Sequence, residues 1–203
     1  MKMKTKIAVV LGTRPEIIKM APIIRELVKK RVDFFILHTG QHYWYNLDGV
    51  FFEQLDLPQP RYNIDAGSGS HAEETGKMLI DIERILKQEK PNIVLVEGDT
   101  NSVLAGALAA AKLHIKVGHV EAGLRSYDRT MPEEINRLLA DHLSDYLFAP
   151  TKNAKKILLS EGISERKVFV TGNTIVDAIL ENLALVTDKA DVLRFVDHLL
   201  AKG

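Results

Sequence analysis

Two carboxylates stand at matching places beyond two apolar runs. In VEGDTNSVLAGALAAAKLHIKVGHVEAGLRS (96–126), Asp99 follows the first run and Glu121 the second. Carboxyls leaving separate strands of one sheet can act on one ligand. A carboxyl crowded by another in a partly dry cleft has its pKa raised and moves protons near neutral pH. Each also has a plainer reading. Asp99 and Thr100 directly precede a helical segment, and both residue types are preferred N-caps. Glu121 is harder to account for in that way, because Gly123 follows it rather than a helix needing a cap.

Cations accompany these acids. GTRPE (12–16) joins an apolar run to a helical one, so Arg14 extends a planar cation near a helix N-terminus, which suits a diphosphate. Lys19 lies further along the same helix, roughly one turn from Arg14's side at ~3.6 residues per turn; taken alone it reads as a solvated lysine. In PEEINR (132–137), Glu133 and Arg137 are four residues apart, and proline, acids and then arginine are also what an ordinary helix start looks like. The polar loop RSYDRTM (125–131) before it can fold over a ligand.

The elements that position these residues follow a βα pattern. Short β-branched runs at 7–11, 33–40, 92–98, 115–123, 145–151 and 167–173 alternate with helical segments at 15–30, 71–90, 102–113, 133–143 and 152–161. A further short helix is expected at 45–57. Apolar residues 78, 79, 82, 85 and 86 make one stripe of the 71–90 helix, either core or, less commonly, a contact between copies. The fold class is therefore α/β: a Rossmann-like open parallel sheet flanked by helices, occupying 1–172, with 173–203 as a helical exit segment. Ligands on such sheets gather beyond the carboxyl ends of the strands, where Arg14, Gln41, Asp99 and Glu121 all fall.

Composition excludes several classes of function. Lys+Arg and Asp+Glu are both 27, so no net field selects nucleic acid or an anionic membrane. The chain contains no cysteine, which removes disulfides, thiolate metal sites and a cysteine nucleophile, and fits a cytoplasmic protein. The apolar run near the start is too short for a signal peptide or membrane span. Histidines 38 and 42 flank a strand end, where that spacing does not put them on one face, so no metal is expected.

Six stretches together, GTRPEIIKMAP (12–22), TGQH (39–42), VEGDTNSVLA (96–105), GHVEAGLRS (118–126), PEEINR (132–137) and TGNTIVDA (171–178), resemble the non-hydrolysing UDP-N-acetylglucosamine 2-epimerases. The resemblance implies the amino-terminal half of a two-domain GT-B fold, a UDP-sugar substrate, a homodimer, and no cofactor. It implies that Asp99, Glu121 and Glu133 are the catalytic carboxylates, and that Arg14, Lys19, Gln41, His42, Thr100 and Arg137 bind substrate. The family's GHRRE-like and DSGG-type stretches do not occur in these 203 residues. A missing carboxyl-terminal nucleotide-binding domain, and little turnover by this chain alone, are accordingly expected. A hydrolysing relative and a non-catalytic nucleotide-sugar-binding or dimerisation module are the alternatives.

Overall fold

In the computed structural model, residues 5–40, 49–67 and 69–187 are described. Strands and helices alternate along the chain as β1 (Lys6–Leu11), α1 (Arg14–Lys29), β2 (Asp33–His38), α2 (Val50–Gln54), β3 (Tyr62–Asn63), α3 (His71–Glu89) and β4 (Ile93–Glu97). The second half continues with α4 (Asn101–Lys112), β5 (Lys116–Val120), α5 (Pro132–Leu143), β6 (Tyr146–Ala149), α6 (Lys152–Ser160), β7 (Val168–Val170) and α7 (Thr174–Thr187). The seven strands form one sheet in the order β3-β2-β1-β4-β5-β6-β7, and every neighbouring pair is parallel. The order reverses between β1 and β4, so the loops leaving those strands part around a crevice.

Alternation along the strands divides the core into two faces. Val10, Val94, Val96 and Val117 pack under α3 and α4, whereas Val9, Leu11, Ile36 and Leu95 meet Ile17, Met20 and Ile24 of α1. Residues two apart share a face, and both faces of a parallel sheet must be covered, hence the nearly continuous apolar strands. Fully burying one such aliphatic side chain stabilises by about 1.5–3 kcal/mol. Helix α4 uses its small residues to lie close: a Cβ on Gly106 would meet Val96 Cγ1 at 3.0 Å and Val10 Cγ1 at 3.2 Å.

The structure refines the expected elements in three places. Among the described residues, the expected 45–57 helix is Val50–Gln54, and 41–48 lies outside them. A two-residue strand, Tyr62–Asn63, extends the sheet beside β2; two residues are too few to leave a periodic signal. The α3 stripe is core, with Met78, Ile82, Ile85 and Leu86 buried and Leu79 packed against them, so the stripe is not available as a surface between copies. Beyond β7 the described chain ends in the helix Thr174–Thr187.

Candidate active site

The loops leaving β1, β4 and β5 meet at the crevice, and glycine permits the closest approach. A Cβ on Gly12 would lie 2.2 Å from both Thr39 Oγ1 and Ser102 Oγ, two hydroxyls themselves hydrogen-bonded at 2.6 Å. Glu16 then organises the turn. Its carboxylate accepts from Gly12 N at 2.6 Å, Thr13 N at 2.7 Å and Thr100 Oγ1 at 2.5 Å, joining the β1 loop to the β4 loop. Burial pushes the Glu16 pKa up, with those donors opposing. Thr100 is the N-cap of α4 by backbone position, yet its hydroxyl serves Glu16 instead of the helix.

On the α1 face, Glu97 and Glu121 meet Lys19. Lys19 Nζ donates to Glu121 Oε2 at 2.5 Å and lies 3.2 Å from Glu97 Oε1, and Asn173 Nδ2 donates to Glu121 Oε1 at 3.0 Å. Glu121 has φ 67°, the left-handed region that a non-glycine residue adopts at a cost of order 1–3 kcal/mol, persisting where the surroundings over-determine it and often at functional sites. The turn continues through Gly123, where a Cβ would come within 2.6 Å of Ala154 O, so the backbone of α6 holds it tightly. Burial raises Glu97 to about 9, with Lys19 opposing and Glu121 and Glu16 adding to the rise. Burial also acts to raise Glu121, but the bonds from Lys19, Asn173 and Glu97 overcome it and hold that carboxyl below its ordinary value. For Lys19, burial is outweighed by the two carboxyls, and its pKa goes up.

Toward α5 the contacts are different. Arg137 forks between Asp99 Oδ2 and Glu134 Oε2, the latter at 2.8 Å, and burial notwithstanding its charge is favoured by both acids. Asn136 Nδ2 donates to the Asp99 carbonyl at 2.9 Å. Glu134 also accepts from Ser126 N and Tyr127 N, each at 3.0 Å, and so fastens the 125–131 loop to the first turn of α5. Beneath, His119 Nδ1 lies 2.7 Å from Asp141 Oδ1 and Nε2 lies 2.8 Å from the Gly98 carbonyl. Both partners are acceptors, so the ring fills both bonds only with a proton on each nitrogen. Asp141 further accepts from Gly123 N at 3.2 Å and pairs with Arg125 at 2.7 Å, and Arg125 binds Glu161 through Nε and Nη2.

Of the residues singled out in the sequence, Lys19 contacts Glu121, Arg137 contacts Asp99, and Thr100 ties to the β1 turn. Asp99 and Glu121 leave adjacent strands, whose ends are joined by Gly98 N donating to Val120 O at 3.2 Å. Arg14 is exposed with its guanidinium 6.0 Å from the Phe51 ring centroid. Glu133 is exposed, and among the described residues no hydrogen bond or ion pair brings it to Asp99 or Glu121. Its neighbour Glu134 carries the buried contacts. Gln41 and His42 lie outside the described residues. Sequence reasoning missed Glu16, Glu97, Glu134 and the His119, Asp141 and Arg125 network. Among the described residues no group of three His, Cys, Asp or Glu could hold a metal ion, and no helix is long and apolar enough to cross a membrane.

A parallel sheet whose carboxyl edge gathers buried acids, a lysine and an arginine at its topological switch defines a Rossmann-like domain equipped for acid–base work on an anionic ligand. The family model for UDP-N-acetylglucosamine 2-epimerase matches residues 25–200, and the chain belongs to that family. It is 60% identical over 195 residues to UDP-N-acetylglucosamine 2-epimerase of Methanocaldococcus jannaschii, covering 96% of this chain and 53% of that one. The structure of the Methanocaldococcus jannaschii enzyme in complex with UDP-GlcNAc and UDP matches with a TM-score of 0.90 and 62% identity, over 94% of this chain and 53% of that one. The Neisseria meningitidis UDP-GlcNAc 2-epimerase bound to UDP-GlcNAc matches at TM-score 0.85 and 40% identity, over 92% and 52%. The chain thus spans about half the length of the relatives it matches.

Proposed function

We propose that this chain is the carboxylate-bearing half of a non-hydrolysing UDP-N-acetylglucosamine 2-epimerase, which interconverts UDP-N-acetylglucosamine and UDP-N-acetylmannosamine as precursors for polysaccharide biosynthesis. In this reading a carboxylate removes the C2 proton as the C1–oxygen bond to UDP breaks, giving a 2-acetamidoglucal. UDP then re-adds at C1 while a proton is delivered to the opposite face of C2. Asp99, Glu121 and Glu133 are the proton-transfer groups. Arg14, Lys19, Gln41, His42, Thr100 and Arg137 hold the sugar and the leaving diphosphate. Residues 1–172 form the Rossmann-like unit, and 173–203 lead out of it toward a carboxyl-terminal nucleotide-binding domain in a GT-B arrangement. The enzyme works in the cytoplasm as a homodimer.

The observation that supports this most is Glu121: an ionised carboxylate in a left-handed turn at the end of a buried strand, bonded to Lys19. Among the described residues its side-chain bonds are to Lys19 and Asn173 and to no local backbone group. The test is incubation with UDP-N-acetylglucosamine in deuterated water, for the chain alone and paired with the second half of the Methanocaldococcus jannaschii relative, with label at C2 followed by proton NMR. Exchange with intact UDP-sugar products is expected from the pair, with little from the chain alone. Accumulation of free UDP and N-acetylmannosamine would point to the hydrolysing reaction instead. Glu121→Gln should lower exchange by about 10²–10⁴-fold with the fold intact; full exchange in that variant removes Glu121 from the mechanism.

A further inference from the structure

Glu97 ends β4 on the face covered by α1, and its side chain is 1% exposed. Its carboxyl shares the Lys19 ammonium with that of Glu121, Nζ lying 3.2 Å from Glu97 Oε1 and 2.5 Å from Glu121 Oε2. Two buried carboxyls gathered at one ammonium crowd each other, which favours a proton on one of them. The surroundings decide which. Glu121 receives directed bonds from Lys19 at 2.5 Å and Asn173 at 3.0 Å, as an anion needs. Glu97 Oε1 stands 3.2 Å from the same ammonium but lacks hydrogen-bond geometry to any donor. An ionised Glu97 there would be a buried charge sharing a cation already committed to its neighbour, a placement that costs several kcal/mol.

We propose that Glu97 is a positioning residue of this site: a neutral carboxyl that donates its proton in a hydrogen bond to Glu121 and, with Lys19 and Asn173, fixes the direction in which the Glu121 carboxylate faces the crevice. The charged groups facing Glu97 are Lys19 and Glu16 from α1 and Glu121 from the end of β5. The rise of Glu97 to about 9 and the depression of Glu121 agree with this division of protons. With Glu97 neutral, Lys19 is balanced by one carboxylate, and Glu121 stays ionised, the form a base requires. Ionising Glu97 would remove the donor and set a like charge beside Glu121. This catalytic consequence rests on the epimerase reading; the proton assignment does not.

The test is carboxyl-carbon NMR of the chain labelled at glutamate, with Glu97 and Glu121 assigned in the wild type by triple resonance. Near neutral pH the Glu97 carbon is expected at the shift of a protonated acid, moving only as pH approaches about 9, while Glu121 is already a carboxylate. In Glu97→Gln, whose amide keeps a donor toward Glu121, the Glu121 titration stays in place. In Glu97→Leu, which fills similar volume without a donor, it shifts upward. A Glu97 carbon that ionises with the exposed glutamates, at about 4.3, overturns the proposal, and that wild-type result stands even if the leucine variant does not fold. An unchanged Glu121 titration in folded Glu97→Leu overturns it equally. No substrate enters these measurements, so their failure leaves the epimerase reading intact, and failure of C2 exchange leaves the proton assignment intact. Where exchange is observed, the wild-type rate should fall above pH about 9 and the glutamine variant should keep its plateau; superimposable profiles would make Glu97 a packing residue only.

Discussion

Two clusters of buried acids flank the carboxyl edge of the sheet, one on each face, and they are built on opposite plans. Toward α5, Asp141 faces His119, Arg125 and the Gly123 amide, and Glu161 takes the rest of the Arg125 fork. Two acids meet two bases, and the acceptors are filled. Toward α1, Glu97 and Glu121 share the ammonium of Lys19, the buried Glu16 adds to the rise of Glu97, and one buried oxygen lacks a directed donor. The difference is visible in the proton affinities. Burial acts to raise Asp141, but His119 and Arg125 win and its pKa is lowered, whereas burial wins for Glu97. A balanced cluster is a structural tie, here joining the loop of Asp99 through Gly98 to the turn after Glu121. An acid-rich cluster with one cation holds one of its carboxyls toward the protonated form.

The largest effect should therefore come from the balanced side. Asp141→Ala strands a buried His119 and Arg125, and breaking a buried pair in this way costs about 3–5 kcal/mol. Urea unfolding should register that loss, with Asp141→Asn recovering part of it. If instead Glu97→Leu were the more damaging of the two, the contrast between the faces would be reversed.

pH separates the clusters without mutation. Asp141 has a folded pKa below its unfolded value, so its contribution is complete above the ordinary aspartate range and is lost as pH falls through the lowered folded pKa. Glu97 runs the other way. Its folded pKa is about 9 against an ordinary 4.5, so the folded chain keeps a proton the unfolded chain releases, and stability falls as pH climbs between those values. The slope for one such proton is at most about 1.4 kcal/mol per pH unit. Denaturation midpoints measured across that window should decline in wild type and flatten in Glu97→Gln; an unchanged slope would assign the alkaline limb to another group.

The contrast also marks what the sequence made legible. Strand and helix order could be read because a parallel sheet needs near-continuous apolar strands, and because residues such as Met78, Ile82 and Leu86 repeat with a helical period. Asp99, Glu121, Lys19 and Arg137 could be found because they stand at strand ends or within motifs. Glu97 was hidden inside an apolar run, although counting by two from Ile93 and Leu95 puts it on the α1 face, where a charge needs an explanation. Asp141 and His119 are 22 residues apart, and only the packing of α5 against β5 brings them together. Glu134 and Glu133 present the reverse difficulty. They are adjacent acids in one motif, and nothing but the rotation of α5 distinguishes the buried one from the exposed one.

Arg137 offers a smaller and sharper comparison. It spans Asp99 and Glu134 with separate nitrogens, a fork that lysine cannot reproduce. Arg137→Lys should lose one of the two charged bonds, about 1.5 kcal/mol by thermal unfolding, and loosen the 125–131 loop that Glu134 holds. Hydrogen exchange at the Ser126 and Tyr127 amides would report that loosening. Protection equal to wild type would mean that Glu134 keeps the loop unaided.

The smallest change in stability is expected at Glu133, and for that reason it is the cleanest probe of catalysis. The side chain is exposed in the first turn of α5, so a helix-dipole contribution of about 0.3–1 kcal/mol is the most it can supply to the fold. Glu133→Gln should leave the denaturation midpoint within about 0.5 kcal/mol. A carboxyl that meets substrate only when the loop and a bound sugar close over it would nevertheless lower C2 exchange by about 10²-fold or more on removal. Glu134→Gln should do the opposite, weakening the loop first and exchange only through it. If both variants reduced exchange in proportion to lost stability, Glu133 would be a helix-start acid and the chemistry would fall to Asp99 and Glu121.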